Sequence, residues 1–334
     1  MSEYRYDLVH DHWVILAPNR NSRPDEFVEA GWKRAAGRCP FCAGHEQDTP
    51  PELARYTLAG RTDWQVRVVP NKYPAVVPSG TVVSVESWAD ESLPGYGWHE
   101  VIIESPQHVV SWSEMELEAV ELVLAAYQDR LKNLRDQPQV AYAALFKNVG
   151  AAAGASIEHA HSQLLATTLL PPPWQIRLAR WRKFYYDTNL TVVGQWLQQE
   201  QRQGCRLVAA DTDWVAVCPF ASRVPFEVRV APRRPAAYFE QLDARLRRRL
   251  AALLQRICRR LEAVAPGVAY NVIVHTAPFD PPPHDYFHWY VELLPRLTRA
   301  AGFEWGTGCF INPVEPERAA ALLKAAEPTS REIR

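Results

Sequence analysis

The residues of this chain best suited to chemistry are two histidines and a glutamine spaced two apart: His159, His161 and Gln163. They lie in NVGAAAGASIEHAHSQLLA, residues 148–166, where an apolar β-type segment follows a loop containing Gly150, Gly154 and Ser156. Side chains two apart on a strand share a face, so all three are expected to point into one pocket. Glycines let a loop bring backbone N–H groups close to a phosphate. An imidazole nucleophile beside such a cradle points to phosphoryl or nucleotidyl transfer. A buried strand with two hydrogen-bonded histidines would use the same residues for structure alone. The His-x-His-x-Gln spacing behind a glycine loop favours the chemical reading.

A second group is Cys39-Pro40-Phe41-Cys42, preceded by Arg38 and followed by Ala43 and Gly44, which has the shape of a zinc knuckle. A redox pair is the alternative, but no thioredoxin-like βαβ pattern surrounds it. Zinc would need two more ligands, for which His45, His99, His108 and the motif histidines are candidates. Upstream, the loop NRNSRPD carries Arg20 and Arg23. Guanidinium forks match phosphate oxygens, so this loop is either a phosphate clamp or simply solvated.

The elements that must position these groups follow from length and pattern. The chain has 334 residues, room for one large domain or two ordinary ones, and is 47% hydrophobic with 12 Trp. A net charge of −1 gives no argument for a nucleic-acid partner. No apolar run reaches the length of a membrane span, and the N-terminus has no signal-peptide core. Six cysteines in so long a chain do not suggest a disulfide framework. A reduced, cytoplasmic protein is expected.

Strands are expected at residues 4–16, 65–70, 99–105 and 142–148. A helix is expected over 113–134 with Ser113 as its cap. Residues 175–202 are basic, rich in Trp and Gln, and read as a helical linker. The second half then repeats the order of the first. WVAVCP at 214–219 matches QVRVVP at 65–70, and FEVRVAP at 226–232 matches HEVIIESP at 99–106. After a helix over 242–264, YNVIVH at 270–275 mirrors the strand before the loop. HWYVELLP at 288–295 aligns with HAHSQLLA, placing His288 on His159, Tyr290 on His161 and Glu292 on Gln163. This is a tandem duplication of one α+β unit, with the nucleophile position lost from the second copy. His284 and His288 could ligate a second metal, but Cys205 has no Cys-x-x-Cys mate, so a second complete site is not expected.

The tandem halves and the motifs RCPFC, VPNKYPA, ESPQH and NVGAAAGASIEHAHSQ resemble the galactose-1-phosphate uridylyltransferase family, the transferase branch of the histidine-triad superfamily. The chain is equally similar to ADP-glucose phosphorylase, which shares the form His-small-His-Ser-Gln and a tail like residues 302–313. The resemblance implies His161 as covalent nucleophile and Cys39, Cys42, His108 and His159 as ligands of one structural zinc. It implies Phe41, Asn71, Lys72 and Tyr73 around the nucleoside, and Asn148, Gly154, Ser156 and Gln163 at the phosphates. It also implies Arg20 and Arg23 reaching the nucleotide from the neighbouring subunit of a homodimer. Uridylyltransferases usually carry Pro and Gly where this chain has Ala160 and Ser162.

The implied reaction is double displacement, in which the imidazole attacks the α-phosphorus of a nucleotide sugar and a second phosphate then attacks the nucleotidyl-histidine. Hydrolytic histidine-triad proteins carry a third His at the position of Gln163, where a neutral amide can only hydrogen-bond phosphoryl oxygens; Gln163 therefore favours transfer over hydrolysis.

The expectation is an α+β fold of two fused, mostly antiparallel half-sheets with flanking helices on one side. The division is 1–173, a linker at 174–204, and 205–334. The expected function is transfer of UMP from UDP-glucose to galactose 1-phosphate. ADP-glucose phosphorolysis is the alternative of the same mechanism, and a zinc-stabilised nucleotide-binding scaffold the alternative of another class.

Overall fold

The computed structural model describes residues 1–22, 37–79, 94–137, 139–279 and 284–326. The first half contributes β3 (Ala54–Tyr56), β4 (Val66–Pro70), β5 (Gly97–Ile103), β6 (Tyr142–Val149) and β7 (His161–Thr167). The second half contributes β8 (Leu207–Ala210), β9 (Trp214–Val217), β10 (Val228–Pro232), β11 (Tyr270–His275) and β12 (Tyr290–Pro295). These make one ten-stranded sheet in the order β3-β4-β5-β7-β6-β11-β12-β10-β9-β8. The second half-sheet repeats the order of the first in reverse, and the two fuse where β6 pairs antiparallel with β11. A small sheet of β1 (Glu3–Asp7), β2 (His12–Leu16) and β13 (Phe310–Asn312) brings the chain's two ends together.

Register settles which residues share a face. Gln163 pairs with Phe146, Phe146 with Ile273, and Ile273 with Glu292. Gln163 and Glu292 therefore lie on the same face of the sheet, as the aligned repeats require. On the opposite face Ser162, Lys147, Val272 and Leu293 form the neighbouring row. That face is covered by α1 (Leu117–Arg135) and α4 (Ala244–Val264), whose apolar residues recur at helical spacing: Val120, Val123, Leu124, Tyr127 and Leu131 on one, Leu250, Leu253, Leu254, Ile257 and Leu261 on the other. Asp243 caps α4 by accepting from the Leu246 N–H at 2.8 Å. Ser113 is not the cap of α1; it falls in a 3₁₀ turn, Trp112–Glu114, and donates to Glu262 at 2.6 Å.

Residues 174–204 lie almost wholly in α2 (Pro172–Thr188) and α3 (Val192–Gln203), which bury Trp174, Trp181 and Trp196. These helices lie on the face that carries Glu292, so the helices flank both faces rather than one. Trp174 packs 5.7 Å from His275 and Arg229 lies 5.9 Å from the Trp196 ring. Two short helices, α5 (Gly302–Thr307) and α6 (Pro316–Ala325), follow near the C-terminus. No helix among the described residues is long and apolar enough to cross a membrane.

The same face of the second half is closed by charge. Arg229 binds Asp7 at 2.5 Å, Glu227 at 2.8 Å and Glu292 at 3.0 Å, and Arg223 reaches Glu292 at 2.6 Å. Burial would raise the Asp7 and Glu292 carboxyls, but the Arg229 and His10 neighbours of Asp7, and Arg223 and His10 beside Glu292, hold both well below the carboxylate range. Depressed carboxyls stabilise the fold above their unfolded pKa of about 4, and that stability drains away as pH falls further. Removing one partner of a buried ion cluster leaves uncompensated charge, at a cost of about 3–5 kcal/mol. Arg229→Ala is expected to lose that much in urea denaturation. Lys183→Ala, which breaks the exposed pair with Asp187, should lose less than about 1 kcal/mol. Similar losses for the two would contradict the cluster's structural weight.

Candidate active site

Strand β7 begins at His161, so His159 lies just outside it and does not share the pocket face with His161 and Gln163. Its ring is fully buried and turns to the sulfurs of the knuckle. The His159 Nε2–H donates to the Ser105 carbonyl at 2.8 Å, which fixes Nδ1 toward the Cys39 sulfur at 3.5 Å and the Cys42 sulfur at 3.6 Å. His108 Nδ1 lies 3.5 Å from the Cys42 sulfur. The four donor atoms of Cys39, Cys42, His108 and His159 lie within 4.8 Å of one another. A tetrahedral ion with metal–sulfur bonds of about 2.3 Å and metal–nitrogen bonds of about 2.0–2.1 Å has sulfur–nitrogen edges of about 3.5 Å. The donor set thus fits a four-coordinate metal ion. Burial and the Cys39 neighbour push the Cys42 thiol up to about 11, and burial lowers His159 to about 4. A bound cation would reverse the first shift by favouring the thiolate.

The other ligand candidates go elsewhere. His45 bonds the Cys39 carbonyl at 2.7 Å through Nδ1, and His99 lines the cavity described below. His288 copies His159 by bonding the Pro232 carbonyl at 2.8 Å, but its Nδ1 meets Thr191 Oγ1 at 3.3 Å instead of thiols. His284 meets the Tyr286 hydroxyl at 3.1 Å. His10, His275 and Glu292 also converge. Glu292 is already held by two guanidiniums there, and burial pulls both histidines down, so the group suits an ion pair better than a metal.

His161 stands on β7 with its Nδ1–H donated to the His159 carbonyl at 2.7 Å. The imidazole is neutral, because burial lowers its pKa and Lys147 adds to the effect. Nε2 then keeps the lone pair. Phe41, inside the knuckle, packs its ring 5.3 Å from His161 and 6.0 Å from His159, joining the Cys–His cluster to His161. Behind the strand, Glu104 accepts from Ser162 at 2.5 Å, Tyr127 at 2.6 Å, Trp112 at 2.9 Å and Lys147 at 2.5 Å. Burial alone would raise this carboxyl, but the Lys147 charge and the hydrogen bonds from Lys147, Ser162 and Tyr127 together lower it. A fully satisfied buried network of this kind holds one arrangement of the strand.

His161 and Gln163 line a cavity of about 910 Å³ together with Phe41, Asn71, Lys72, Tyr73 and Ser156, within the usual range for ligand clefts. His99, Gln47 and Thr49 line it as well. Tyr73 is 82% exposed at its rim. Arg20, in the 3₁₀ turn Pro18–Ser22, is not among the lining residues, and Arg23 lies outside the described residues.

The glycine loop is built differently from an amide cradle. The N–H groups of Ala153, Gly154 and Ala155 are spent on loop carbonyls at 2.9–3.2 Å, leaving them unavailable to a phosphate. Gly150, at φ 81°, is required because a Cβ there would come within 2.9 Å of Ala269. Asn148 and Gly154 do not line the cavity wall. Asn148 instead accepts at Oδ1 from Asn271 Nδ2 at 2.7 Å, Asn271 also donates to the Ala153 carbonyl at 2.8 Å, and Arg296 donates to Asn271 at 2.6 Å. This chain from the second half carried no local signal in the sequence; only strand pairing of Asn271 with Asn148 exposes it.

The chain matches a family model described as galactose-1-phosphate uridyl transferase, N-terminal domain, over residues 1–171, and a domain of unknown function over residues 103–331. It is 32% identical to ADP-glucose phosphorylase of Arabidopsis thaliana, covering 98% of this chain and 93% of that protein. It is 26% identical to galactose-1-phosphate uridylyltransferase of Thermotoga maritima, covering 98% and 99%. Among solved structures, the Arabidopsis thaliana ADP-glucose phosphorylase with bound ADP-glucose superposes with a TM-score of 0.84 at 31% identity, covering 98% of this chain and all of that one. A uridylyltransferase structure gives 0.76 at 27% identity, with 98% of each chain covered.

Cys39→Ser should lower the metal bound per chain, measured by elemental analysis, and lower the melting temperature, because ligand binding to the folded state alone stabilises it. Unchanged metal content and stability would leave the cluster as ordinary core residues.

Proposed function

Because the chain belongs to the galactose-1-phosphate uridylyltransferase family, we propose that it transfers a nucleotidyl group from a nucleotide sugar to a phosphate acceptor through His161. The observation that carries this is the His161 tautomer: Nδ1–H is bound to the His159 carbonyl, so the neutral ring offers Nε2 in the cavity. Nε2 attacks the α-phosphorus, the phosphorus–oxygen bond to the sugar 1-phosphate breaks, and a phosphorus–nitrogen bond forms. The acceptor phosphate then attacks the same phosphorus and the nitrogen leaves with its electron pair. Both acceptor and leaving group are phosphates already ionised at neutral pH, so no strong general acid or base is needed. Gln163, two residues along the same face, is suited to hydrogen-bond the transferred group.

Phe41, Asn71, Lys72 and Tyr73 would hold the nucleoside, and Ser156 the phosphates. Asn148, at the end of β6, and Gly154, in the loop after it, would act from behind them. The metal is read as zinc, since two thiols and two imidazoles in tetrahedral disposition favour it. With four protein ligands it would be structural, stiffening the turn that carries His159. A homodimer in the cytoplasm completes the reading. Arg20 does not line its own chain's cavity, which suits a role, with Arg23, at a neighbour's site.

Of the two donors, ADP-glucose is favoured, with inorganic phosphate as acceptor, on the 32% identity and 0.84 TM-score to a protein named for that activity. Uridylyl transfer from UDP-glucose to galactose 1-phosphate is the second reading, supported by the family model and the 26% identical relative.

Incubation with each α-³²P-labelled nucleotide sugar should label the protein, more from ADP-glucose, and added phosphate should discharge the label as nucleoside diphosphate. His161→Asn should fold and bind metal, carry no label, and lose at least about four orders of magnitude in turnover. Turnover within tenfold of the unmodified protein would remove His161 from the mechanism. Preferential labelling by UDP-glucose, discharged by galactose 1-phosphate, would select the second reading.

A further inference from the structure

We infer that His99 is a positioning residue that locks the side-chain amide of Gln163 with its NH₂ group toward the transferred phosphoryl group. The inference rests on the nucleotidyl-transfer reading of His161 and adds a residue to it. His99 is on β5, opposite Leu165 in the β5–β7 ladder, and its Nε2 lies 2.9 Å from Gln163 Oε1. Its Nδ1 accepts the Ala75 backbone N–H at 3.1 Å. A nitrogen that accepts a backbone N–H carries no proton of its own. A neutral imidazole must carry one, so the proton sits on Nε2.

That proton needs an acceptor, and two side chains lie within reach. Asn71 presents Nδ2 at 3.1 Å, and its Oδ1 is taken by the Tyr73 N–H at 2.8 Å. Reversing the Asn71 amide would set two donors against each other at Tyr73 at 2.8 Å, a closer conflict than the one its Nδ2 makes with the Nε2 proton at 3.1 Å, and the Gln163 oxygen at 2.9 Å is the nearer partner in either case. Asn71 therefore cannot receive the proton, and Gln163 Oε1 does. With its oxygen tied back to His99, the Gln163 amide can turn only its nitrogen away from His99. Gln163 and His161 share a strand face and line the same cavity. An amide locked this way offers two N–H donors to phosphoryl oxygens and no lone pair to repel them. An unlocked amide would spend part of its time reversed, with its oxygen toward the anion. The backbone segment 71–75 thereby couples nucleoside contacts to phosphate contacts, because Asn71, Tyr73 and Ala75 set the tautomer that sets the amide.

The test is a double-mutant cycle on the single-turnover rate of His161 labelling from α-³²P-labelled ADP-glucose. His99→Ala should slow labelling by about tenfold, the scale of one hydrogen bond's net contribution. In a Gln163→Ala background the same change should cost less than about twofold, because there is no amide left to orient. His99→Gln, whose own amide can accept from Ala75 and donate to Gln163, should recover most of the rate. It also keeps the test decisive if the alanine variant folds poorly. Equal losses in both backgrounds, or no loss with His99→Ala, would overturn the inference. If the unmodified protein takes no label from ADP-glucose or UDP-glucose, it is the His161 reading that fails instead.

Discussion

The pairing of β6 with β11 is the constraint on which the molecule depends. It fuses two half-sheets into one and runs a continuous row of residues from Gln163 to Glu292 across the join. It also sets Asn271 of the second half directly opposite Asn148 of the first. Without it each half would expose a long sheet edge, a liability that folded proteins cover or pair. The duplicated face then took two fates. In the first half it is left open as a cavity around a neutral histidine. In the second, β1, α2 and α3 close it, and the position matching His161 holds Tyr290, stacked 4.4 Å from His275 amid an Arg–carboxylate cluster. One open face per chain follows from packing alone.

Around the open face the recurring device is an amide held by a donor on its oxygen. His99 does this to Gln163, and Arg296 acts on Asn148 through Asn271. At Gln163, which lines the cavity, this leaves the NH₂ group as the outward end, which suits an anion whose negative charge grows in the transition state. His161 is oriented by the same logic from the other side, with a carbonyl taking its Nδ1 proton. The Cys–His cluster, Phe41 and the buried Glu104 network then limit movement of the strand that bears it. Orientation is fixed before substrate arrives, so little of it must be bought at the moment of reaction.

Local signals in the sequence carried much of this. Hydrophobic periodicity located the long helices and most strands to within a few residues, and the repeat predicted that Tyr290 and Glu292 would stand where His161 and Gln163 do. The Cys-x-x-Cys spacing pointed to a metal knuckle but left its histidines open; the family resemblance named His108 and His159, and the four side chains do converge into a group that could hold a metal ion. What was missed depends on long-range placement. The two-residue spacing put His159 in the pocket, whereas the strand starts two residues later and the ring turns to the thiols. The glycine loop read as an amide cradle, but the N–H groups of Ala153, Gly154 and Ala155 close on the loop itself. The Trp-rich segment read as a linker because nothing local says that it will bury three indoles against the second half. His99 read as a possible ligand, and only its two backbone and side-chain partners reveal a different use.

The central claim is that the nucleotidyl group passes through a covalent bond to His161 Nε2. The most direct measurement is the stereochemical course at the α-phosphorus, using a donor made chiral there by sulfur substitution. Two in-line displacements invert the centre twice, so the account predicts net retention of configuration in the nucleoside diphosphate formed. Net inversion would show a single direct displacement by the acceptor and would contradict it.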